Sequence, residues 1–138
     1  MDLPSVALSV RQPWAWCILY AGKDIENRTA SAIRFGKMRP GWVALHASKG
    51  MTQREYEDCR AFALRIRPKL QFPRPDELPR GGIVGMMNVS KIVTHTKSKW
   101  FMGPCGLQIV MAAPVNPVAA TGALGYFEWS PNGKMEQP

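Results

Sequence analysis

Between Lys23 and Thr29 the chain carries an amine, two carboxylates, an amide, a guanidinium and a hydroxyl, on Lys23, Asp24, Glu26, Asn27, Arg28 and Thr29. In an extended segment alternate side chains share a face, so Asp24, Glu26 and Arg28 line up there. Lys23 joins them only where a turn at Gly22 re-aims it. Two chemical uses follow. A carboxylate beside the lysine holds it charged, whereas partial desolvation moves it from its ordinary value of about 10.4 toward neutrality, where it serves as a base. The same residues also suit a polar turn with a surface ion pair, worth at most about 1 kcal/mol.

Other local groups carry weaker signals. Lys97-Ser98-Lys99-Trp100-Phe101 interleaves bases with aromatics, as phosphate contact and base stacking require, or as a loop does when it tucks two aromatics inward. Ser48 and Lys49 are of types that act as nucleophile and base, though such neighbours are common on surfaces. His46 lies within an apolar run and reads as a hydrogen-bonded core residue. Met86 and Met87 read as core filling.

The 138 residues hold 18 Lys and Arg against 10 Asp and Glu, a net charge of +8, which points to an anionic partner. The bases are unevenly spread. No acidic residue lies between Glu26 and Glu55, where Arg28, Arg34, Lys37, Arg39, Lys49 and Arg54 sit. None lies between Glu77 and Glu128, where Arg80, Lys91, Lys97 and Lys99 sit. If these stretches meet in the fold they make a positive face suited to phosphate.

Composition also excludes. The length fits one domain over residues 1–138, with a core at about 5–130. An apolar fraction of 46% argues against global disorder. No apolar run approaches the ~20 residues of a membrane helix, so no membrane association is expected. Met1-Asp2-Leu3-Pro4 lacks the positive region of a secretory signal, and Cys17, Cys59 and Cys105 suit reduced thiols, so a cytoplasmic protein is expected. With no Cys-x-x-Cys, only two histidines and neither a phosphate-binding glycine loop nor a dinucleotide fingerprint, no metal and no cofactor is expected.

The positioning elements follow from periodicity. Val6 to Val10 reads as a strand, and Pro13 to Gly22 frames a short helix with Ala15, Ile18, Leu19 and Gly22 on one face. On that helix Trp14 and Trp16 diverge, so at least one leaves the core face. Gly41 to Ala47 reads as a strand buried on both sides. Thr52 and Glu55 match a capping box, opening a helix that buries Tyr56, Cys59, Phe62, Ala63 and Ile66 and exposes Arg54, Glu57, Asp58, Arg65 and Arg67. Pro68 closes it, and Pro73, Pro75 and Pro79 make an extended connector. Gly82 to Val93 is the strongest strand signal, with a bulge or close approach at Gly85; Leu107 to Val115 and Ala123 to Trp129 supply two more. Short strands with two helices and no regular β-α-β alternation indicate an α+β fold with a small mixed or closed sheet.

In succession, Leu8-Ser9-Val10-Arg11-Gln12-Pro13-Trp14-Ala15-Trp16, Gly22-Lys23-Asp24-Ile25-Glu26-Asn27-Arg28-Thr29, Val43-Ala44-Leu45-His46-Ala47-Ser48-Lys49-Gly50 and Pro79-Arg80-Gly81-Gly82-Ile83-Val84-Gly85 closely resemble the ASCH domain (activating signal cointegrator homology), in its small stand-alone bacterial and phage form. Residues 100–106 and 121–127 resemble its later blocks. The resemblance implies a PUA-like small mixed β-barrel with flanking helices and a cleft suited to RNA or a nucleobase. The family motif is Gly-x-Lys-x-x-Glu-x-Arg. Lys23, Glu26 and Arg28 match it, while its glycine position holds Ala21 and Gly22 stands one residue later.

By that resemblance Lys23, Glu26 and Arg28 line the cleft as the candidate catalytic group, with Gln12, Trp14, Ser48 and Trp100 beside them. Together with Lys49, Lys97 and Lys99 these form the expected nucleic-acid-binding set. The implied partner is RNA or a nucleotide or nucleoside ligand. One implied activity is metal-independent RNA cleavage, in which Lys23 or Glu26 helps remove the 2′-hydroxyl proton and Arg28 stabilises the phosphorane. The alternatives are a non-catalytic reader of RNA or a modified base, and a modified-nucleoside hydrolase of the N4-acetylcytidine amidohydrolase type. In that hydrolase branch a threonine nucleophile stands where this chain has Glu26, which disfavours the last.

Overall fold

A computed structural model describes residues 2–129, so Met1 and the end of the expected 5–130 core lie outside the described residues. Six strands and three α-helices follow one another as β1 (Val6–Val10), α1 (Trp14–Tyr20), β2 (Ile25–Arg28), α2 (Ala30–Phe35), β3 (Gly41–Ala47), α3 (Gln53–Ile66), β4 (Gly82–Val93), β5 (Cys105–Ala119) and β6 (Tyr126–Glu128). The strands form one mixed sheet in the order β2-β5-β4-β3-β1-β6. Among the described residues only β1 and β3 pair in parallel; the other neighbours are antiparallel. The fold is α+β, as the sequence indicates.

The sheet curls into a half-barrel. Three strands separate β2 from β1 in the sheet, yet Arg28 Nη2 on β2 donates to the Ser9 carbonyl on β1 at 2.9 Å. The long strands β4 and β5 bend where their register slips, between Ile83 and Gly85, Asn88 and Val89, and Val89 and Lys91. Each slip places one or two extra residues on one strand and sharpens its local twist. The expected irregularity at Gly85 is one of these, and a side chain there would meet the Ala113 carbonyl and Leu19 Cδ2 at 2.6 Å.

Alternation along the central strands divides the interior. Leu8 and Val10 of β1 and Val43, Leu45 and Ala47 of β3 enter the main core with Ile18, Met87 and Leu107. Ala7 and Ala44 point the other way, against Ile83, Phe127 and Trp129. A separate core of Cys17, Ala21, Ile25, Cys59, Ala63 and Trp100 joins α1 to α3. Trp14 and Trp16 both pack at its edge, Trp14 on Phe62 and Trp16 on Phe72, so neither leaves the packed region. The three cysteines are free and buried, with Cys17 and Cys59 sulfurs 3.7 Å apart.

Several elements differ from the sequence expectation. The sequence gives no sign of helix α2, because none of its six residues is buried; Thr29 caps it by accepting the Ala32 N–H at 3.1 Å. Strand β5 continues four residues past Val115, through Pro117, and also holds Pro114, because register slips leave room for residues that cannot donate to the ladder. Strand β6 starts at Tyr126 rather than Ala123, since residues 120–125 cross the molecule as a strap. Gly125, at φ +66°, turns that strap so closely over Gly36 that a Cβ would lie 2.4 Å from the Gly36 Cα. The proline connector contains a single 3-10 turn over Pro75–Glu77.

The capping box holds as read: Thr52 Oγ1 accepts the Glu55 N–H at 3.1 Å and Glu55 Oε1 accepts the Thr52 N–H at 2.8 Å. Leu45, with no exposed surface, anchors the main core. Leu45→Ala is expected to cost about 2–5 kcal/mol and Thr52→Ala about 1 kcal/mol. Urea unfolding should show both as lowered midpoints with an unchanged slope.

Candidate functional site

Helix α1 ends at Tyr20 with Ala21 as its cap, and Gly22, at φ +77°, reverses the chain so that the Lys23 N–H returns to the Cys17 carbonyl at 3.1 Å. That turn swings the Lys23 side chain inward. Its ammonium donates to the Ile25 carbonyl and, at 3.0 Å, to Glu26 Oε1, and lies 5.8 Å from the centre of the Trp14 ring. Arg28 approaches the same carboxylate from its other side, through Nε at 3.1 Å and Nη2 at 2.9 Å to Glu26 Oε2. Lys23 and Glu26 are 3% and 8% exposed, so this is a buried ion triad rather than a surface pair. Asp24 does not join it; its carboxylate accepts from Ser98 Oγ.

Charge decides the chemistry of this group. Burial pushes the Glu26 carboxyl upward, but Lys23 and Arg28 outweigh it and hold Glu26 below the ordinary carboxylate value. Both oxygens are occupied by donors. Two cations on one carboxylate leave the triad with a net charge of +1.

The triad borders a cavity of about 1170 Å³. Glu26, Asn27 and Arg28 form one wall, Ser9 and His46 another, and Trp14, Ser48, Lys49, Arg80 and the 119–125 strap complete it. The two acid-poor stretches therefore meet here, through Arg28 and Lys49 from the first and Arg80 from the second. Arg80 Nη1 donates to the Lys49 backbone carbonyl, holding the Arg80 guanidinium against that chain segment. Arg11 also lines the cavity but is engaged by Glu55, at 2.6 and 3.0 Å. Those bonds, with the capping N–H of Thr52, hold the Glu55 carboxyl at about 2.

Of the residues singled out from sequence, Trp14, Glu26, Arg28, Ser48 and Lys49 line this cavity. Lys23 lies behind Glu26 and reaches the cavity only through it. Gln12 is buried elsewhere: its amide accepts the Trp16 N–H and donates to the Pro79 carbonyl, both at 2.9 Å, and it borders a separate cavity of about 370 Å³. Trp100 packs into the α1–α3 core against Phe62, with ring centres 5.9 Å apart. Lys97 and Lys99 are exposed and do not line the cavity. Asn27 holds their loop, donating to the Trp100 carbonyl at 3.0 Å and accepting from the Met102 N–H at 2.7 Å.

The sequence gives no sign of Ser9 as a site residue, while His46 is the buried, hydrogen-bonded residue that its apolar strand predicts and also borders the cavity. The two face each other across the parallel β1–β3 register, with Ser9 Oγ and His46 Nδ1 2.8 Å apart. Strand alternation put both on the face opposite Leu8 and Leu45, but no local signal said which strand would lie beside β1. Among the described residues no cluster of three or more His, Cys, Asp or Glu side chains is placed to hold a metal, and no helix is long and apolar enough to cross a membrane. No family model matches the chain, and no curated protein matches it.

Glu26→Gln removes the only anion between two buried or half-buried cations, and is expected to cost about 3–5 kcal/mol at pH 7. Glu26 has a folded value below the ordinary 4.5, so its contribution is complete above that value and disappears as pH falls through the lower folded value. Urea titrations of both proteins across this acid range should therefore converge toward low pH.

Proposed function

We propose that this chain is an RNA- or nucleotide-binding domain of the ASCH type, built on a PUA-like barrel, and that the cavity beside the Lys23–Glu26–Arg28 triad is its binding cleft. The cleft's charge balance supports this above all. Arg28, Lys49 and Arg80 face one space whose bordering carboxylate, Glu26, is already neutralised by two cations. Such a space favours phosphate, and Trp14 adds aromatic surface for a base. Buried free thiols suit a reducing compartment, so the cytoplasm is the proposed location.

Recognition accounts for the triad better than proton transfer by Lys23 or Glu26. A general base needs a free lone pair within reach of its proton. Glu26 has both oxygens engaged and a lowered proton affinity, while the Lys23 ammonium is enclosed by the Ile25 carbonyl, Glu26 and the Trp14 ring. The triad's role in this reading is to hold Arg28 rigidly at the cleft wall, anchored at both Glu26 and the Ser9 carbonyl.

Fluorescence anisotropy with single-stranded RNA across a salt series tests the proposal. Affinity should fall with salt at a log–log slope of about −0.7 per phosphate neutralised. Lys49→Ala and Arg80→Ala should each weaken binding and flatten the slope by about 0.7. A salt-independent response, or full affinity in the double variant, would overturn the assignment of this cleft.

A further inference from the structure

We propose that Ser9 and His46 are a nucleophile–base pair for acyl transfer, and that the cleft hydrolyses a carboxylic ester whose alcohol portion carries a phosphate. The phosphate part rests on the reading of the cleft given above. The nucleophile rests on separate geometry.

Ser9 and His46 are register partners on parallel strands, and the register between β3 and β4 slips between Leu45 and His46, beside the pair. Bulges commonly re-aim side chains at active sites. His46 Nε2 lies 2.7 Å from the Ala120 carbonyl oxygen. A carbonyl only accepts, so Nε2 carries the ring proton, and in the neutral imidazole Nδ1 keeps its lone pair. Ser9 Oγ, 2.8 Å from Nδ1, is then the donor, with its proton aimed at a base that a third group orients. His46 is 2% exposed but borders the cavity, so the base is shielded from bulk water while the serine faces the cleft.

The cleft supplies the remaining parts. Arg28 Nη2 donates to the Ser9 backbone carbonyl at 2.9 Å and both residues line the cleft, so a fixed cation shares the space into which Ser9 opens. Lys49 and Arg80 are available to the phosphate. Gly122 closes over the pair without a side chain; a Cβ there would stand 2.7 Å from Ser9 Oγ and 2.8 Å from His46 Cε1. The group orienting the imidazole is a neutral carbonyl rather than a carboxylate, so it stabilises an imidazolium weakly. An ester, with its easier leaving group, fits that limit better than an amide.

In the reaction the Ser9 proton passes to His46 Nδ1 as Oγ bonds to the acyl carbon, and the oxyanion forms beside Arg28. The carbon–oxygen bond to the alcohol then breaks, and His46 returns the proton to the departing oxygen. Water attacks the acyl-serine and gives a proton to Nδ1. The acid leaves, and Ser9 recovers its hydrogen.

A fluorophosphonate probe on the native protein tests the nucleophile, with peptide mass spectrometry to locate the adduct. One phosphonyl group on Ser9 is expected, and single-stranded RNA should slow its formation. His46→Asn should label about 100-fold more slowly or worse, and Gly122→Ala should also label slowly because its methyl group occupies the space above Ser9. Absence of a Ser9 adduct on the folded native protein overturns the proposal, whatever the variants' stability. So does labelling of folded His46→Asn at the native rate. RNA binding without any adduct leaves the cleft reading intact and removes the nucleophile. An adduct on protein that binds no RNA supports the nucleophile and overturns the phosphate-bearing substrate.

Discussion

Two cations gathered on one buried carboxylate depend on it, because losing the carboxylate leaves both positive charges uncompensated in a place water scarcely reaches. Glu26 is in that position, and its two partners come from opposite directions. Lys23 arrives from the turn that ends α1, and Arg28 from two residues farther along β2. Arg28 then spans the open side of the sheet to the Ser9 carbonyl on β1. One ionic group thus ties a helix end, an edge strand and a central strand together. The half-barrel's opening is held at the width that the Arg28 side chain can bridge.

That constraint shapes the cleft's electrostatics. A lone glutamate in the wall would repel an anion, but with two cations attached it becomes a mount for Arg28. The fixed guanidinium, Lys49 and Arg80 then face one space from three separate chain segments. The strap from Ala119 to Gly125 forms the remaining side, and it is held down where His46 bonds to Ala120 and where Gly125 lies against Gly36. A positive, partly enclosed volume results from these attachments rather than from the chain's overall excess of bases. Lys97 and Lys99 carry the same charge but lie outside it.

Much of the frame was legible because short-range rules govern it. The capping box at Thr52 and Glu55, the exposed and buried faces of α3, the limits of β1, β3 and β4, and the irregularity at Gly85 all follow from spacing and residue type. Where competing signals were weak, the reading stopped short. Strand β5 runs on to Ala119 where the expected strand ends at Val115, and α2 buries none of its six residues, so no apolar period announces it. The Lys97–Phe101 segment showed how ambiguous local pattern can be. Its aromatics turn inward to the α1–α3 core, and its lysines stay in water.

By itself the sequence determined which residues were able to do chemistry around position 26, since amine, carboxylate and guanidinium at that spacing are a local property of the chain. It also determined the alternation that separates Leu8 and Leu45 from Ser9 and His46, because a strand's side chains must point to opposite faces. Tertiary structure alone decided which of these groups meet. Parallel pairing of β1 with β3 set Ser9 against His46, and curling of the sheet brought Arg28 to Ser9. Packing of α1 on α3 took Trp100 away from the cleft. Each of those contacts joins residues more than 18 positions apart, where hydrophobic burial and strand order, not local preference, set the distance.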